Sequence, residues 1–439
     1  MNNCLCALDI GSSKISAVVA QIKGGKLHSL FCETVPSHGI KKGVVINSID
    51  VVEASGRVLK SLKLKSHLPI KSVCVNISGQ DIITKHSRAV IPLAERSNKV
   101  ITLSDIRQVN EQARILGANL EEEIIHSLPV NYAIDSQDNV LSPLGLYSHR
   151  LEVDLYLICA KASSVESLGR LLNQAGYEVR ELLFSGLATS RIALLPLATD
   201  ADVTAEGLEV LCDIGSDITE IIVFKEGFIR DIKIIYKGAD DITRELAENL
   251  KIPYELAEEV KISYASVSDA ERLGSDREIL VKRHNLYKPI KQKAVVEIAT
   301  TSAKNLCQEI KEAIDALAAS HRVKKVVACG RGVLLEGFLE TLENTLSLPC
   351  RLARIREPGY FYERKTHYPY QENLNELFAL VNKDPAFSGQ KYLSYLTALG
   401  MLAESLYPRQ QAVVAFSSLS NNPLVRFLHK AKEIYREYF

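Results

Sequence analysis

Two copies of the tetrapeptide Asp-Ile-Gly-Ser each follow one apolar run and precede another. The first copy begins at Asp9 and the second at Asp213. An apolar run, a glycine-containing turn and a second apolar run predict a β-hairpin at each copy. Such a corner can hold a phosphate with its free backbone N–H groups, and the aspartate can hold a metal-bound water. One such turn is common in proteins that bind nothing, but two copies in register predict duplicated halves facing each other across a nucleotide.

Each corner supplies its own predicted phosphate-binding residues. In the first corner these are Gly11, Ser12, Ser13 and Lys14. In the second corner they are Gly215 and Ser216. We expect Asp9 and Asp213 to hold Mg²⁺ through water, with a triphosphate lying in the cleft between the two corners.

A third glycine turn follows the strand-like run at 324–329. Its residues are Gly330, Arg331 and Gly332, and the glycines would let the backbone approach a flat base closely. Together with the two corners, this turn predicts an adenosine site. Glu258 and Lys261 lie three residues apart on one face of a predicted helix, and this spacing alone is equally typical of a surface salt bridge.

Composition sets the remaining limits. The chain has 439 residues, 46% of them hydrophobic and 24% charged, as in a globular protein with two or more domains. Lys plus Arg equals Asp plus Glu, at 53 each, so we expect no nucleic-acid partner. The nine cysteines show no metal-binding spacing and sit mostly in apolar runs, which favours a reducing compartment. No run reaches the ~20 apolar residues of a membrane span.

The pattern along the chain predicts several distinct segments. Residues 81–161 form an α+β block between parts of the first half. Residues 238–320 are predicted to be strongly helical, with Pro253 separating two helices. Residues 356–373 are predicted to be an irregular aromatic loop, and 392–406 to be the last helix of the core.

Residues 423–439 are predicted to form an amphipathic helix after a Ser/Asn-rich linker at 409–422. Its apolar stripe consists of Leu424, Phe427, Leu428, Ile434 and Tyr438. Basic residues, among them Lys430 and Arg436, lie mostly off that stripe. A short helix of this kind suits the interface of a lipid bilayer. The alternative is a terminal helix docked on its own domain, but the linker favours the membrane.

These motifs together resemble the FtsA family of bacterial cell-division proteins, within the actin and DnaK-type superfamily of ATP-binding proteins. LDIGSSKI is similar to the first phosphate motif, LCDIGSDITEI to the second and CGRGVLLEG to the adenosine motif. The resemblance covers essentially the whole chain. It implies an α/β, actin-like two-domain fold, with duplicated ribonuclease-H-like halves around a nucleotide cleft. It also implies nucleotide contacts for Thr219, Glu258 and Lys261.

The resemblance further implies how the chain divides into subdomains. Subdomain 1A would comprise 1–80 and 162–200, and the inserted subdomain 1C would comprise 81–161. Subdomain 2A would comprise 207–238 and 321–408, and subdomain 2B would comprise 239–320. The linker and the membrane-targeting helix would follow.

The function implied by the resemblance is membrane attachment of the division machinery. The chain would bind ATP and Mg²⁺, self-assemble at the cytoplasmic face of the membrane on anionic lipids, and help to recruit later division proteins. It would tether the FtsZ ring by binding the FtsZ C-terminal tail through subdomain 2B. Asp217 and Arg331 stand where the family has glycines, so we predict weak or no ATPase activity and no catalytic residue. The alternatives are a PilM-like pilus-assembly scaffold and a sugar or acetate kinase.

Overall fold

Two five-stranded sheets with the same connectivity form the two halves of the molecule. The computed structural model describes residues 4–93, 99–135, 137–140, 142–194, 207–225, 228–268, 277–283, 286–319, 321–355 and 371–406. The strands of the first sheet are β1 (Cys4–Ile10), β2 (Lys14–Lys23), β3 (Lys26–Pro36), β6 (Ser72–Ile77) and β13 (Glu178–Phe184). Their order is β13-β6-β1-β2-β3, with β1, β2 and β3 antiparallel and β1, β6 and β13 parallel.

The second sheet repeats this arrangement. Its strands are β14 (Leu208–Ile214), β15 (Thr219–Lys225), β16 (Phe228–Ile235), β19 (Val323–Cys329) and β20 (Cys350–Leu352). Their order is β16-β15-β14-β19-β20. Read from the other end, this is the order of the first sheet, and each strand runs in the same direction relative to its neighbours as its counterpart there. The prediction of duplicated halves is therefore confirmed.

A separate four-stranded antiparallel sheet is inserted between β6 and β13. Its strands are β7 (Ile82–Pro92), β9 (Glu122–Ile134), β10 (Gln137–Val140) and β12 (Arg150–Lys161). Helix α2 (Leu103–Leu116) covers it, and β8 (Lys99–Val100) pairs with β11 (Tyr147–Ser148) beside it. This inserted sheet touches both halves, because His126 accepts a 2.9 Å hydrogen bond from the Phe184 amide and the Tyr156 hydroxyl donates one of 3.0 Å to Asp231.

Helices cover both faces of the first sheet, which explains why β1 and β2 are almost continuously apolar. One face packs against α1 (Ser48–Ser66) and α3 (Ala162–Gln174), and the other against α4 (Ser185–Ala193) and α10 (Leu396–Ser405). Side chains alternate between these faces along β1: Leu8 packs with α1, whereas Ala7 packs with α4 and α10. The short strands β4 (Ile40–Lys41) and β5 (Val44–Val45) pair with each other just before α1.

Helices α4 and α10 connect the two halves below the cleft. Helix α4 packs against β14 and β15 of the second sheet, whereas α10 packs against β1, β2 and β6 of the first. They cross at Gly400, where an added Cβ would lie 1.9 Å from the Ala188 carbonyl oxygen. Only a residue without a Cβ permits this crossing.

The region 238–320 is less helical than its sequence predicts. Its helices are α5 (Ala239–Leu250), α6 (Tyr254–Tyr264) and α7 (Gln292–Ala318), with Pro253 between the first two as expected. The helical prediction is wrong for 278–291, which form the hairpin of β17 (Glu278–Arg283) and β18 (Leu286–Lys291). Ile279 and Val281 are buried on one face of this hairpin and Leu280 is exposed on the other, so a two-residue period governs this segment.

Two further helices complete the core. Helix α8 (Phe338–Leu346) follows the third glycine turn. Helix α9 (Gln371–Lys383) begins inside the stretch predicted to be an irregular loop, so that prediction is wrong from Gln371 onward; residues 356–370 lie outside the described part. The last core helix is confirmed but begins at Leu396. The linker at 409–422 and the tail helix at 423–439, with all its predicted membrane-facing residues, lie outside the described residues.

Candidate functional site

The first corner joins β1 to β2 through a four-residue turn. In this hairpin Asp9 pairs with Ser16, and the Gly11 amide donates to the Lys14 carbonyl at 3.0 Å. Asn76, on the neighbouring strand β6, fixes the corner from the side. Its amide group donates to Asp9 Oδ1 at 2.9 Å, and its Oδ1 accepts from the Ile10 amide at 2.6 Å. The carboxylate therefore has a defined position at the end of the strand.

The second corner repeats the backbone arrangement of the first. Asp213 pairs with Glu220, and the Gly215 amide donates to the Ile218 carbonyl at 2.9 Å. The Thr189 hydroxyl of α4 lies 3.3 Å from Asp213 Oδ2. The two Asp-Ile-Gly-Ser copies thus form equivalent turns, as the sequence predicts.

The third glycine turn lies directly on the second corner. Gly330 has a φ of 80°, and a Cβ there would lie 2.3 Å from the Ile214 carbonyl oxygen and 2.6 Å from Asp213 Oδ1. A Cβ on Gly332 would lie 2.5 Å from Ile214 Cγ2. Any side chain at these positions would displace the second corner, so the turn needs glycine for packing as well as for its conformation.

A cavity of about 360 Å³ lies between the two halves. The predicted site residues that line it are Asp9, Gly11, Ser12, Ser13, Lys14, Asp213, Gly215, Ser216, Gly330 and Arg331. The lining also includes Ile40, Val44 and the first turn of α3, together with residues at the start of α10. The structure therefore brings both corners and the third turn to one cavity.

Four predicted residues do not line this cavity. Thr219 is fully buried and its hydroxyl donates to the Lys237 carbonyl at 2.9 Å, and Gly332 is packed under the second corner. Glu258 and Lys261 form an ion pair of 2.7 Å, and Lys261 also donates to the Ala239 carbonyl at 3.0 Å. This pair thus braces the start of α5, whose Ala239 amide in turn donates to the Gly215 carbonyl at 3.0 Å. A nucleotide contact for any of the four stays a prediction.

Sequence reasoning missed several polar residues of the cavity wall, among them Asn76, Ser78 and Glu220. The Ser78 hydroxyl at the end of β6 donates to the Glu220 carboxylate of β15, a hydrogen bond that joins the two halves. The repeat itself could have revealed Glu220, because it stands seven residues after Asp213, as Ser16 does after Asp9. Asn76 is the polar residue in the otherwise apolar end of β6.

The charged groups in the cavity are partly or fully withdrawn from water: Asp9, Lys14 and Asp213 are half-buried and Glu220 is buried. Burial raises the pKa of Asp213 to about 6, with a further contribution from the nearby Asp9 carboxylate. Burial and then the Asp213 charge raise the pKa of Glu220 to about 8, and burial raises the pKa of Asp9 as well. Burial lowers the pKa of Lys14 to about 8. The carboxyl groups of Asp9, Asp213 and Glu220 therefore lie close enough to raise one another's pKa, an arrangement that a bound cation would relieve.

This set of oxygens fits Mg²⁺, which prefers carboxylates and water. Within the described ranges no three His, Cys, Asp or Glu side chains converge closely enough to enclose a metal ion. Mg²⁺ would therefore depend on water and on phosphate oxygens for the rest of its coordination. Asp9 and Asp213, at the ends of β1 and β14, are the side chains that would hold it.

Asp217 of the second corner also lines the cavity, but its carboxylate is engaged. Oδ2 accepts from the Lys42 backbone amide at 3.1 Å, and Oδ1 lies 3.6 Å from the Arg244 guanidinium. Lys42 belongs to the turn between β4 and β5 in the first half. Asp217 thus joins the two halves at the mouth of the cavity and does not lie as an unpaired charge beside it.

No helix in the described part of the chain is long and apolar enough to cross a membrane.

Two family models match this chain. One is described as "Cell division protein FtsA" and matches residues 210–374; the other is described as "SHS2 domain inserted in FTSA" and matches residues 79–159, the region of the inserted sheet. Among curated proteins, the cell division protein FtsA of Pseudomonas aeruginosa is 27% identical over 352 residues, which cover 79% of this chain and 82% of that protein. FtsA of Borreliella burgdorferi is 26% identical over 356 residues, covering 80% and 84%.

Among solved structures, the PilM-PilN type IV pilus biogenesis complex contains a chain with a similar fold. The TM-score is 0.58 at 16% sequence identity, and the match covers 92% of this chain and 99% of that one. At this identity the likeness describes the fold alone.

Proposed function

Because this chain belongs to the FtsA family of bacterial cell-division proteins, we propose that it binds Mg-ATP and attaches the FtsZ ring to the membrane. The chain is an actin-like cell-division protein with the two-domain fold of that family and its inserted domain. The finer proposal is that it assembles on anionic lipids at the cytoplasmic face of the membrane and helps to recruit later division proteins. The units 1A, 1C, 2A and 2B are proposed with the boundaries given above, except that α9 and α10 pack against the first sheet and therefore belong with 1A and not with 2A.

The observation that carries the nucleotide proposal is that two equivalent corners and the third glycine turn face one cavity. The backbone amides and hydroxyls of Ser12, Ser13 and Ser216 would bind phosphate oxygens, and Lys14 would contribute positive charge. Mg²⁺, when bound, would neutralise part of the phosphate charge. Thr219, Glu258 and Lys261 are retained as proposed nucleotide contacts from the family resemblance. ATP acts in this proposal as a ligand that closes the cleft.

Hydrolysis is proposed to be slow or absent. A catalytic base should have a pKa near or below the working pH, whereas Glu220, with a pKa of about 8, is mostly protonated at neutral pH. Asp81 also lines the cavity, but it pairs with Lys161 at 2.7 Å and accepts from Ser164 at 2.6 Å. The carboxylates near the corners are thus protonated or engaged, which also disfavours a sugar or acetate kinase.

The membrane proposal rests on the sequence of the tail. Phe427, Leu428 and Ile434 would enter the bilayer interface, and Lys430 and Arg436 would contact anionic headgroups. Leu424 and Tyr438 complete the apolar stripe. Family membership supports the further proposals that the chain self-assembles and that it binds the FtsZ tail through 2B. Polymer contacts are proposed for the inserted domain. A pilus scaffold is less well supported, because likeness to the PilM chain extends only to the fold.

The test of the nucleotide proposal is calorimetric titration of Mg-ATP into the parent and into Asp9→Ala. We expect binding by the parent and a loss of at least about tenfold in affinity for the variant, since one buried carboxylate at the metal site is removed. The matched control is Asp50→Ala, which removes a partly exposed carboxylate near the start of α1. If the parent binds no nucleotide, or if both variants bind as the parent does, the cavity is not an ATP site.

The test of the tether is co-sedimentation with vesicles that contain phosphatidylglycerol. Phe427→Glu combined with Leu428→Glu should leave the protein in the supernatant with an unchanged thermal transition. Retention of the double variant on the vesicles would refute the role of the tail.

A further inference from the structure

The first sheet has one edge at the cavity and an opposite edge, here named the basal edge. Strands β1, β6 and β13 begin at the basal edge, whereas β2 ends and β3 begins there. Asp9 stands near the other end of β1, so the basal edge lies a full strand length from the corners. At ~3.3 Å per residue this separation is about 20 Å.

Lysines are concentrated at this edge. Lys23 and Lys26 flank the turn between β2 and β3, Lys63 and Lys65 lie in the last turn of α1, and Lys71 directly precedes β6. All five side chains are exposed. The whole chain has a formal net charge of zero, so this positive surface is a local feature of one end of the first half.

Few described acidic groups oppose these lysines. Glu33 pairs with Lys65, and Glu376 of α9 accepts a 2.9 Å hydrogen bond from the Leu27 amide. Glu178, the first residue of β13, is exposed at the same edge. Lys23, Lys26, Lys63 and Lys71 form no ion pair within the described residues.

One apolar side chain lies among the lysines. Leu64 stands between Lys63 and Lys65 on α1 and is 67% exposed. Basic residues around an exposed leucine match the chemistry of a lipid interface, where the apolar group enters the headgroup layer and the amines stay at its surface.

The described chain also ends near this edge. Helix α10 runs from Leu396, which lines the cavity, to Ser405, whose Oγ lies 3.2 Å from Cys74 Sγ on β6. Cys74 is three residues beyond Lys71, about 10 Å along the strand. Residues 407–439 follow from this point and include the proposed membrane-targeting helix, so a bound tail would bring the basal edge toward the lipid surface.

We propose that the basal edge is a second membrane-contact surface and that its partner is a layer of anionic lipid headgroups. This inference rests on the proposed membrane attachment of the tail. Each lysine near an anionic surface strengthens partitioning by about fivefold, and the effect falls off over a Debye length of about 8 Å at physiological salt. Tail and basal edge would then orient the protein, with the nucleotide cleft facing away from the bilayer.

The test removes four of the five lysines. The variant carries Lys23→Gln, Lys26→Gln, Lys63→Gln and Lys71→Gln, and it keeps Lys65 because that lysine pairs with Glu33. The control variant makes the same change of charge on the second half, with Lys233→Gln, Lys251→Gln, Lys304→Gln and Lys311→Gln. On vesicles of phosphatidylcholine and phosphatidylglycerol, the first variant should bind at least about tenfold more weakly than the control. This difference in vesicle affinity between the two variants should shrink as the salt concentration rises, and it should also shrink on vesicles of phosphatidylcholine alone.

A positional readout separates this surface from the tail. Lysine acetylation followed by mass spectrometry should show slower reaction of Lys23, Lys26, Lys63 and Lys71 in the vesicle-bound parent, with the four control lysines unchanged. The parent could bind vesicles through its tail while the two variants bind equally and the basal lysines stay fully reactive. The proposal of a second membrane-contact surface would then be wrong, whereas the proposed attachment through the tail would be supported. If the parent binds no vesicles, both proposals fail. Protection of these lysines by RNA but not by vesicles would replace the lipid with a different partner.

Discussion

Replacing Gly400 by alanine should destabilise the protein by separating the two halves beneath the cleft. The added Cβ would lie 1.9 Å from the Ala188 carbonyl oxygen and 2.4 Å from its carbon, whereas ordinary contact begins near 3.4 Å. Helices α4 and α10 would have to move apart by about 1.5 Å in a fully packed region. Overpacking of this kind typically costs about 1–3 kcal/mol, and alanine in a helix returns about 1 kcal/mol of it.

Gly56→Ala is the matched control, because Gly56 also lies inside a helix but an added Cβ there meets nothing within 4 Å. The control should gain about 0.5–1 kcal/mol from helix propensity alone. Urea unfolding followed by circular dichroism measures both changes. We expect opposite signs: a lower midpoint for Gly400→Ala and a higher one for Gly56→Ala. Equal stabilisation by both substitutions would show that the α4–α10 crossing is not as close as described.

Three further predictions concern the cavity. Gly330→Ala should cost about 1–3 kcal/mol of stability and weaken Mg-ATP binding in calorimetry, whereas Gly389→Ala, which also has a positive φ but open space around it, should leave binding unchanged. Asp217→Gly should remove the hydrogen bond from the Lys42 amide, lower nucleotide-free stability by about 1–3 kcal/mol and speed hydrogen exchange at that amide; unchanged exchange would contradict the bridge. The folded-state pKa of Glu220, about 8, lies above its ordinary value of 4.5, so the folded state holds an extra proton between these values and stability should fall as pH rises through that window. Glu220→Gln should flatten this dependence in urea unfolding from pH 5 to 9 without Mg²⁺, and equal slopes would refute the assigned burial.

The corners could be predicted from the sequence because their signal is local. An apolar run, Asp-Ile-Gly-Ser and a second apolar run specify a hairpin in only about 20 residues, and the second copy specifies its counterpart. The Pro253 break between α5 and α6 is equally local. The hairpin of β17 and β18 was missed because its strands are six residues long, carry lysines and stand between charged helices. Helix α9 was missed because it follows an aromatic stretch that carries no clear helix start.

Contacts across the fold could not be predicted in the same way. The Lys42 amide lies 175 residues from its partner Asp217, and Ser78 lies 142 residues from Glu220. Nothing in the local sequence of the second corner indicates that Asp217 is held by the first half. The sequence therefore shows only that Asp217 replaces a family glycine, whereas the structure gives its carboxylate two partners. Asn76 was missed for the same reason, since its role depends on β6 lying beside β1.

The two corners have the same backbone arrangement but carry different charged side chains, and this difference makes the cavity asymmetric. Lys14 of the first corner corresponds to Ile218 in the second, and Ser16 corresponds to Glu220. Of the two corners, the first carries the cation and the second carries the additional carboxyl group, while Arg331 of the third turn adds a positive charge from the second half. A symmetric pair of corners would bind a phosphate chain equally well in either orientation. Because the two corners differ in their side chains, an asymmetric ligand such as a nucleoside triphosphate would meet different groups in its two orientations and would favour one of them.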